Sequence, residues 1–159
     1  MDELLKILNK NGAHTPAEIA AMLNMTEAEV IEKIKRYREK GIILGFQAIL
    51  NEEKLGIEPV RALIEVKVTP EREGGFDRIA ERIAKFDEVK SCLLMSGSYD
   101  LLVVVEGSKL RDVAGFVSEK LATIDGVIST ATHFILKPYK QSGVLMKAEH
   151  DTNHLPVTP

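Results

Sequence analysis

The chain has 159 residues, of which 45% are hydrophobic and 28% charged, and a formal net charge of −3. These values are ordinary for a soluble globular protein, and the length suits one domain or two small ones. The charge excludes a bulk attraction to nucleic acid, so any DNA binding must come from a local surface.

Segments that would direct the chain into or across a membrane are not expected. No apolar run approaches the roughly 18–20 residues that span a bilayer, and Met1-Asp2-Glu3 is unlike the start of a signal peptide. The single cysteine, Cys92, cannot form an internal disulfide. We therefore expect a cytoplasmic protein that has no membrane partner.

Three short helices are predicted in the first forty residues. Thr15 is a good N-cap, with Pro16 at the first helical position and Glu18 at the capping-box position, and Thr26 with Glu29 repeats this pattern. The predicted helices cover residues 2–10, 16–23 and 27 to about 40. Three helices with a short turn between the second and third describe a helix-turn-helix unit. A generic three-helix cap without a DNA role is the alternative.

The third helix would lie in the major groove of double-stranded DNA. Its basic side chains would meet phosphates, and residues near its N-terminus would reach base edges. Glu27 and Glu29 repel phosphates there, although a glutamate can accept a hydrogen bond from cytosine. Because the helix has five basic and four acidic residues, we expect modest affinity and paired heads in a dimer. The inner face is predicted to carry Val30, Ile31, Ile34 and Tyr37. The candidate DNA contacts are Thr15, Thr26, Ala28, Glu29, Lys33 and Arg36.

The segment 42–50 is apolar and β-prone, and it predicts a connecting strand that would make the N-terminal domain a winged three-helix unit. A polar joint follows, and Pro59 marks the restart of regular structure. The predicted organisation is a helix-turn-helix domain over 1–50, a linker over 51–58, an αβ domain over 59–147 and a flexible tail over 148–159.

The αβ domain reads as strand, helix, strand, strand, helix, strand. The predicted strands cover 62–68, 91–95, 101–105 and 127–137, and the predicted helices cover 75–86 and 110–121. The inward residues of the second helix would be Leu110, Val113, Ala114, Val117 and Leu121. This order is that of a ferredoxin-like βαββαβ domain, in which both helices cover one face of an antiparallel sheet. The fold class is therefore α+β, and a second copy of the domain is the simplest cover for the other sheet face.

The hairpin between residues 89 and 106 is the centre of this domain. The apolar run Leu101–Val105 predicts a strand that is buried on both faces, and the two strands of the hairpin are expected at the inside of the sheet. Between them, Gly97 supplies backbone freedom and Asp100 places a carboxylate at the mouth of the second strand. The loop could face a ligand, or Asp100 could merely cap the turn.

Several short motifs occur in order along the chain: Ile19-Ala20 through Met25-Thr26, the run KGIILGF from Lys40, Asn51, the run SGSYD from Ser96, Asp125-Gly126-Val127 and Thr130-Ala131-Thr132. Each is weak alone, but their order and spacing together are specific. Over residues 2–147 the chain resembles the Lrp/AsnC family, the leucine-responsive or feast/famine transcription regulators.

This resemblance implies a DNA-binding head and an effector-binding domain, assembled as homodimers that often close into octamers. It implies an amino-acid effector bound between dimers near the loop that carries Gly97 and Asp100. Backbone N–H groups around Gly97 could hold a carboxylate, and Asp100 could pair with an ammonium. The candidate effector-binding residues are Ser96, Gly97, Ser98, Tyr99, Asp100, Thr130 and Thr132.

Enzymatic function is the alternative from another class, because sirohaem decarboxylases resemble this family in both domains. No phosphate loop, catalytic carboxylate pair or nucleophile elbow is present in the sequence, so we expect no enzyme activity, no cofactor and no metal. His150 and His154 would make only a weak metal site, and His133 reads as an ordinary interface histidine. A ligand-sensing assembly protein without DNA binding is the third possibility.

Overall fold

The computed structural model describes residues 1–70 and 74–146, which fall into two compact units. One unit comprises residues 1–50, and the other begins at Asn51. Within the described residues, no helix is long and apolar enough to cross a membrane. The histidines of the predicted tail, His150 and His154, lie outside the described residues.

The first unit contains the three predicted helices: α1 (Glu3–Lys10), α2 (Pro16–Leu23) and α3 (Glu27–Glu39). Asn24 ends α2 in the left-handed conformation, with a φ of 52°, as the predicted tight turn requires. The buried side chains of this unit are Leu4, Leu8, Ile19, Ala20 and Val30.

Two predictions for this unit are wrong. Ile31 is 50% exposed, because Val30, Ile34 and Tyr37 form the inner face of α3 and the next residue points about 100° away. The segment 42–50 forms no strand among the described residues. A strand needs a second strand to pair with, and residues 1–50 contain no other strand. Leu44 in this segment is 93% exposed.

The second unit begins with α4 (Glu52–Leu55), a short helix inside the predicted linker, capped by Asn51 and Gly56. The elements that follow are β1 (Val60–Val68), α5 (Asp77–Ala84), β2 (Val89–Leu94), β3 (Leu101–Gly107), α6 (Leu110–Gly115), β4 (Val127–Phe134), β5 (Lys140–Gln141) and β6 (Val144–Leu145). The four long strands form an antiparallel sheet in the order β2-β3-β1-β4, which confirms the ferredoxin-like topology.

One face of the sheet carries the core of the second unit. Alternate residues of β1 and β3 are buried there, packed with Ile79 and Ile83 of α5. The other face leaves Leu102 and Val104 half-buried, so the prediction that this run is buried on both faces is wrong. The strand β2 is at the sheet edge and is not an inner strand, and it leaves Leu93 50% exposed.

The α6 helix continues as a π-helix, Phe116–Leu121, which shifts the phase of its inner face. Phe116 and Leu121 are both buried although they are five residues apart, and Phe116 packs edge-on against Phe86 with ring centroids 5.5 Å apart. The predicted inward positions Leu110 and Ala114 are exposed as a result.

The end of the described chain also differs from the prediction. The strand β4 ends at Phe134 and does not continue to residue 137, and the small β5-β6 hairpin follows. That hairpin was not predicted, because each of its strands is only two residues long.

Candidate functional site

A shallow depression of about 470 Å³ lies along the exposed side of α3. Its lining brings together four of the six candidate DNA contacts, namely Ala28, Glu29, Lys33 and Arg36, with Met25 and Glu32. The other two candidates, Thr15 and Thr26, begin α2 and α3 as N-caps.

Both N-caps form reciprocal capping boxes that organise the start of each helix. The Thr26 hydroxyl accepts a hydrogen bond from the Glu29 amide at 3.3 Å, and the Thr26 amide donates to Glu29 Oε2 at 2.8 Å. Thr15 and Glu18 repeat this arrangement at the start of α2. The hydrogen bond from the Thr26 amide lowers the pKa of the Glu29 carboxyl. Glu29 is therefore held by its own helix, which opposes its predicted role as an acceptor for cytosine.

The two basic candidates on α3 differ in their partners. Lys33 Nζ lies 2.7 Å from Asp2 Oδ2, the carboxylate whose other oxygen caps α1. This hydrogen bond lowers the pKa of Asp2 and raises the pKa of Lys33. Among the residues that the structure describes, no acidic side chain forms an ion pair with Arg36. Of the two cations that line this depression, Arg36 is thus the one without an ion-pair partner among the described residues.

In the second unit, Asp100 holds the predicted effector loop to the sheet. Its amide donates to the Val66 carbonyl at 3.0 Å, its carbonyl accepts from the Met95 amide at 2.8 Å, and its Oδ2 accepts from the Val68 amide at 2.9 Å. The pairing of β1 with β4 shifts at Val68, so the Asp100 carboxylate serves an amide at the irregular end of the ladder.

The other effector candidates lie at or near the same end of the sheet. Val66 pairs with both Leu101 and Thr130, so Thr130 is level with the end of the loop, and Thr132 is two residues further along β4. Gly97 has a φ of +146°, which favours glycine. The remaining loop residues are exposed or half-buried, namely Ser96, Ser98 and Tyr99.

A depression of about 400 Å³ adjoins this end of β1, and none of the seven effector candidates lines it. Its lining residues are Thr69, Pro70, Asp125, Gly126, Val127 and Ile128. The Thr69 amide donates to the Gly126 carbonyl at 2.8 Å, so two of these lining residues are hydrogen-bonded to each other. The Asp125-Gly126 turn is recognisable in the sequence, but no local pattern indicates that it lies beside Thr69.

Three further observations concern the metal, thiol and histidine candidates in the described part of the chain. No three His, Cys, Asp or Glu side chains converge there as a metal site. Burial raises the pKa of the Cys92 thiol, which disfavours a reactive thiolate. His133 Nε2 lies 3.5 Å from Glu65 Oε1 on the open face of the sheet.

Comparison with known proteins assigns both units. Residues 61–145 match the profile described as the Lrp/AsnC ligand binding domain, and residues 16–43 match that of the siroheme decarboxylase NirDL-like HTH domain. The chain is 45% identical over 158 residues to the uncharacterized HTH-type transcriptional regulator YugG of Bacillus subtilis, which covers 99% of this chain and 95% of that protein.

Two further proteins are similar over most of their length. The proline dehydrogenase transcriptional activator of Rhizobium radiobacter is 28% identical, with 89% of this chain and 90% of that protein covered. The solved structure of the transcriptional regulator NMB0573 from Neisseria meningitidis, a complex with L-Met, has the same fold. Its TM-score is 0.68 at 23% identity, with 89% of this chain and 93% of that chain covered.

Proposed function

Because this chain belongs to the Lrp/AsnC family of HTH-type transcriptional regulators, we propose that its first unit binds an operator while its second unit senses an amino acid. The observation that carries this function is the union, in one chain, of a capped helix-turn-helix unit and a ligand-binding domain. The effector would regulate by binding one assembly of the protein more tightly than another. Such a regulator would act in the cytoplasm, as a binding protein and not as an enzyme.

DNA binding can be tested on the region upstream of the protein's own gene. Fluorescence anisotropy with that duplex, at about 50–200 mM salt, should give an affinity that falls as the salt concentration rises, because basic side chains release counterions from the phosphates. When each of the common amino acids is added in turn, those of one chemical class should change the affinity of the protein for the duplex. Salt-insensitive or absent binding to several candidate promoters would contradict the proposed function.

The effector loop can be tested separately, because Asp100 has two separable roles. Asp100→Asn keeps an oxygen that accepts from the Val68 amide but removes the charge that would pair with an ammonium. We expect this variant to fold like the parent and to lose roughly tenfold in affinity for the effector, measured by calorimetry. Asp100→Ala should also lose about 1 kcal/mol of unfolding free energy, because the Val68 amide loses its acceptor. Unchanged effector affinity in Asp100→Asn would show that Asp100 only stabilises the turn and does not bind the effector.

A homodimer, with further closure into an octamer, is the proposed assembly. Two apolar surfaces support it: the segment 42–50, and the sheet face that carries Leu63, Leu102 and Val104. Isolated domains rarely leave such surfaces open to solvent, and a second copy of the same chain would supply a matching surface for each.

One alternative follows from a specific observation, and a second is an outcome of the DNA-binding test. The match of residues 16–43 to the siroheme decarboxylase profile favours a tetrapyrrole enzyme as the second candidate, although it covers only the helix-turn-helix. A spectral titration with sirohaem would support that candidate if the absorption bands shift at stoichiometric protein. Effector binding without DNA binding would instead identify a purely sensory assembly protein.

A further inference from the structure

The ion pair between Lys33 and Asp2 links the depression on α3 to the beginning of α1. Lys33 lines that depression beside Arg36, but its ammonium is directed to Asp2 at 2.7 Å. Both side chains are only partly exposed, 31% for Lys33 and 29% for Asp2. The same Asp2 carboxylate accepts a hydrogen bond from the Leu4 amide at 2.9 Å, so the N-cap of α1 fixes the position of the acid.

A paired lysine contributes differently to DNA binding from a free one. The attraction of a protein for duplex DNA comes from cations that replace condensed counterions on the phosphates. Lys33 and Asp2 together carry no net charge, and Lys33 would have to leave a hydrogen-bonded carboxylate to reach a phosphate. Arg36 has no such competitor among the described residues, so the two cations of this surface are not equivalent.

We propose that Lys33 is a positioning residue that holds α3 to the N-terminus of α1. Because Asp2 pairs with the Lys33 ammonium, each helix-turn-helix unit neutralises one DNA phosphate fewer than its basic residues would allow. This inference rests on the proposed DNA-binding function and concerns which residues set its strength. Sequence reasoning assigns Lys33 to a phosphate; the geometry assigns it to Asp2.

The salt dependence of DNA binding separates these roles, because the slope of log K against log salt changes by about 0.9 for each phosphate that the protein neutralises. With the upstream duplex as probe, Arg36→Met should make the slope shallower by about 0.9 per head, whereas Lys33→Met should leave it unchanged. Asp2→Asn should make it steeper by about 0.9 per head, because asparagine still caps α1 but frees the ammonium. The double variant Asp2→Asn with Lys33→Met should return to the parent slope.

Glu3→Gln is the matched control, because it removes the same charge one residue further along and releases only Lys6 of α1. Its slope should equal that of the parent. The inference is overturned if Lys33→Met lowers the slope as Arg36→Met does, or if Glu3→Gln steepens it as much as Asp2→Asn. If the parent binds none of the candidate duplexes, the proposed function itself is wrong and this inference is lost with it.

A measurement without DNA tests the pair directly. In an NMR titration of the free protein, the pKa of Asp2 should lie below its ordinary value in the parent and rise toward it in Lys33→Met. An Asp2 pKa that is the same in both would show that the pair does not form in solution, and would overturn the inference even where DNA binding is intact.

Discussion

Gly126 and Gly115 differ in whether a larger residue could replace the glycine. A Cβ at Gly126 would lie 2.7 Å from Ile79 Cδ1, and its φ of +93° is unfavourable for any other residue. Gly115 is helical, with a φ of −63°, and a Cβ there would meet open space.

Gly126→Ala should therefore lower the free energy of unfolding by about 1–3 kcal/mol, whereas Gly115→Ala should raise it by about 0.5–1 kcal/mol because glycine disfavours a helix. Urea denaturation of both variants, followed by far-UV circular dichroism at constant protein concentration, checks the two signs. An unchanged or higher stability of Gly126→Ala would contradict the packing described around Ile79, and a lower stability of Gly115→Ala would contradict the open space beside Gly115.

At the residue scale, prediction succeeded where the chemistry is local. The capping boxes of Thr15 and Thr26 involve partners three residues away, so the sequence states both the donor and the acceptor. The hydrogen bond of Asp100 to Val68 joins residues 32 apart and depends on an irregularity between β1 and β4. No local pattern encodes such a partner, and the ion pair of Lys33 with Asp2 was missed for the same reason.

At the scale of elements, Arg61 fastens the short helix α4 to the sheet. Its guanidinium binds Glu52 of α4 through two nitrogens, one of them 2.8 Å from Oε2, and its Nε donates to Glu106 of β3 at 2.6 Å. The three side chains are 21–31% exposed, so solvent weakens but does not abolish the interaction.

The contacts of Arg61 with Glu52 and Glu106, here called the clamp, should make the stability of the second unit depend on pH. Arg61 lowers the pKa of Glu52, so the stabilisation is complete above the ordinary value of 4.5 and is lost as the pH falls through the lower folded pKa. Arg61→Met should lower the free energy of unfolding by roughly 1 kcal/mol at neutral pH. Between about pH 5 and 3 this variant should lose less stability than the parent does, because it no longer has the interaction that protonation of Glu52 removes. Arg111→Met, on the exposed side of α6, is the control and should keep the parent's pH profile. Parallel profiles for Arg61→Met and the parent would contradict the clamp.

The order of elements was predictable because hydrophobic periodicity distinguishes a helix from a strand. The surroundings of each element, which decide which of its faces are buried, were not predictable in this way. The run from Leu101 to Val105 is apolar throughout, but helices cover only one side of β3, and sequence does not state what covers the other. Likewise, Leu110 and Leu121 would share one face of a regular α-helix, but the π-helix changes the phase between them, so Leu121 is buried and Leu110 is exposed.

At the scale of the whole molecule, the proposed homodimer has a specific test in the segment 42–50. Leu44 is 93% exposed, so Leu44→Lys should leave the fold of each chain unchanged. If this segment lies between two copies, the buried charge should shift the protein to monomers, as measured by size-exclusion chromatography with light scattering. Leu110→Lys, at a site 60% exposed on α6, should assemble like the parent. Equal masses for Leu44→Lys and the parent would exclude the segment from the interface.

The distribution of charge on α3 has a consequence for how such a protein finds its target. Lys33 is neutralised by Asp2, and Lys35 Nζ lies 4.0 Å from Glu39, so acids of the same chain offset much of the positive charge of the helix. Weak attraction to phosphates means brief residence on unrelated sequences, since that attraction supplies nearly all non-specific binding. The protein would then search a chromosome mainly by diffusion through solution with short slides, and base contacts would decide where it stays.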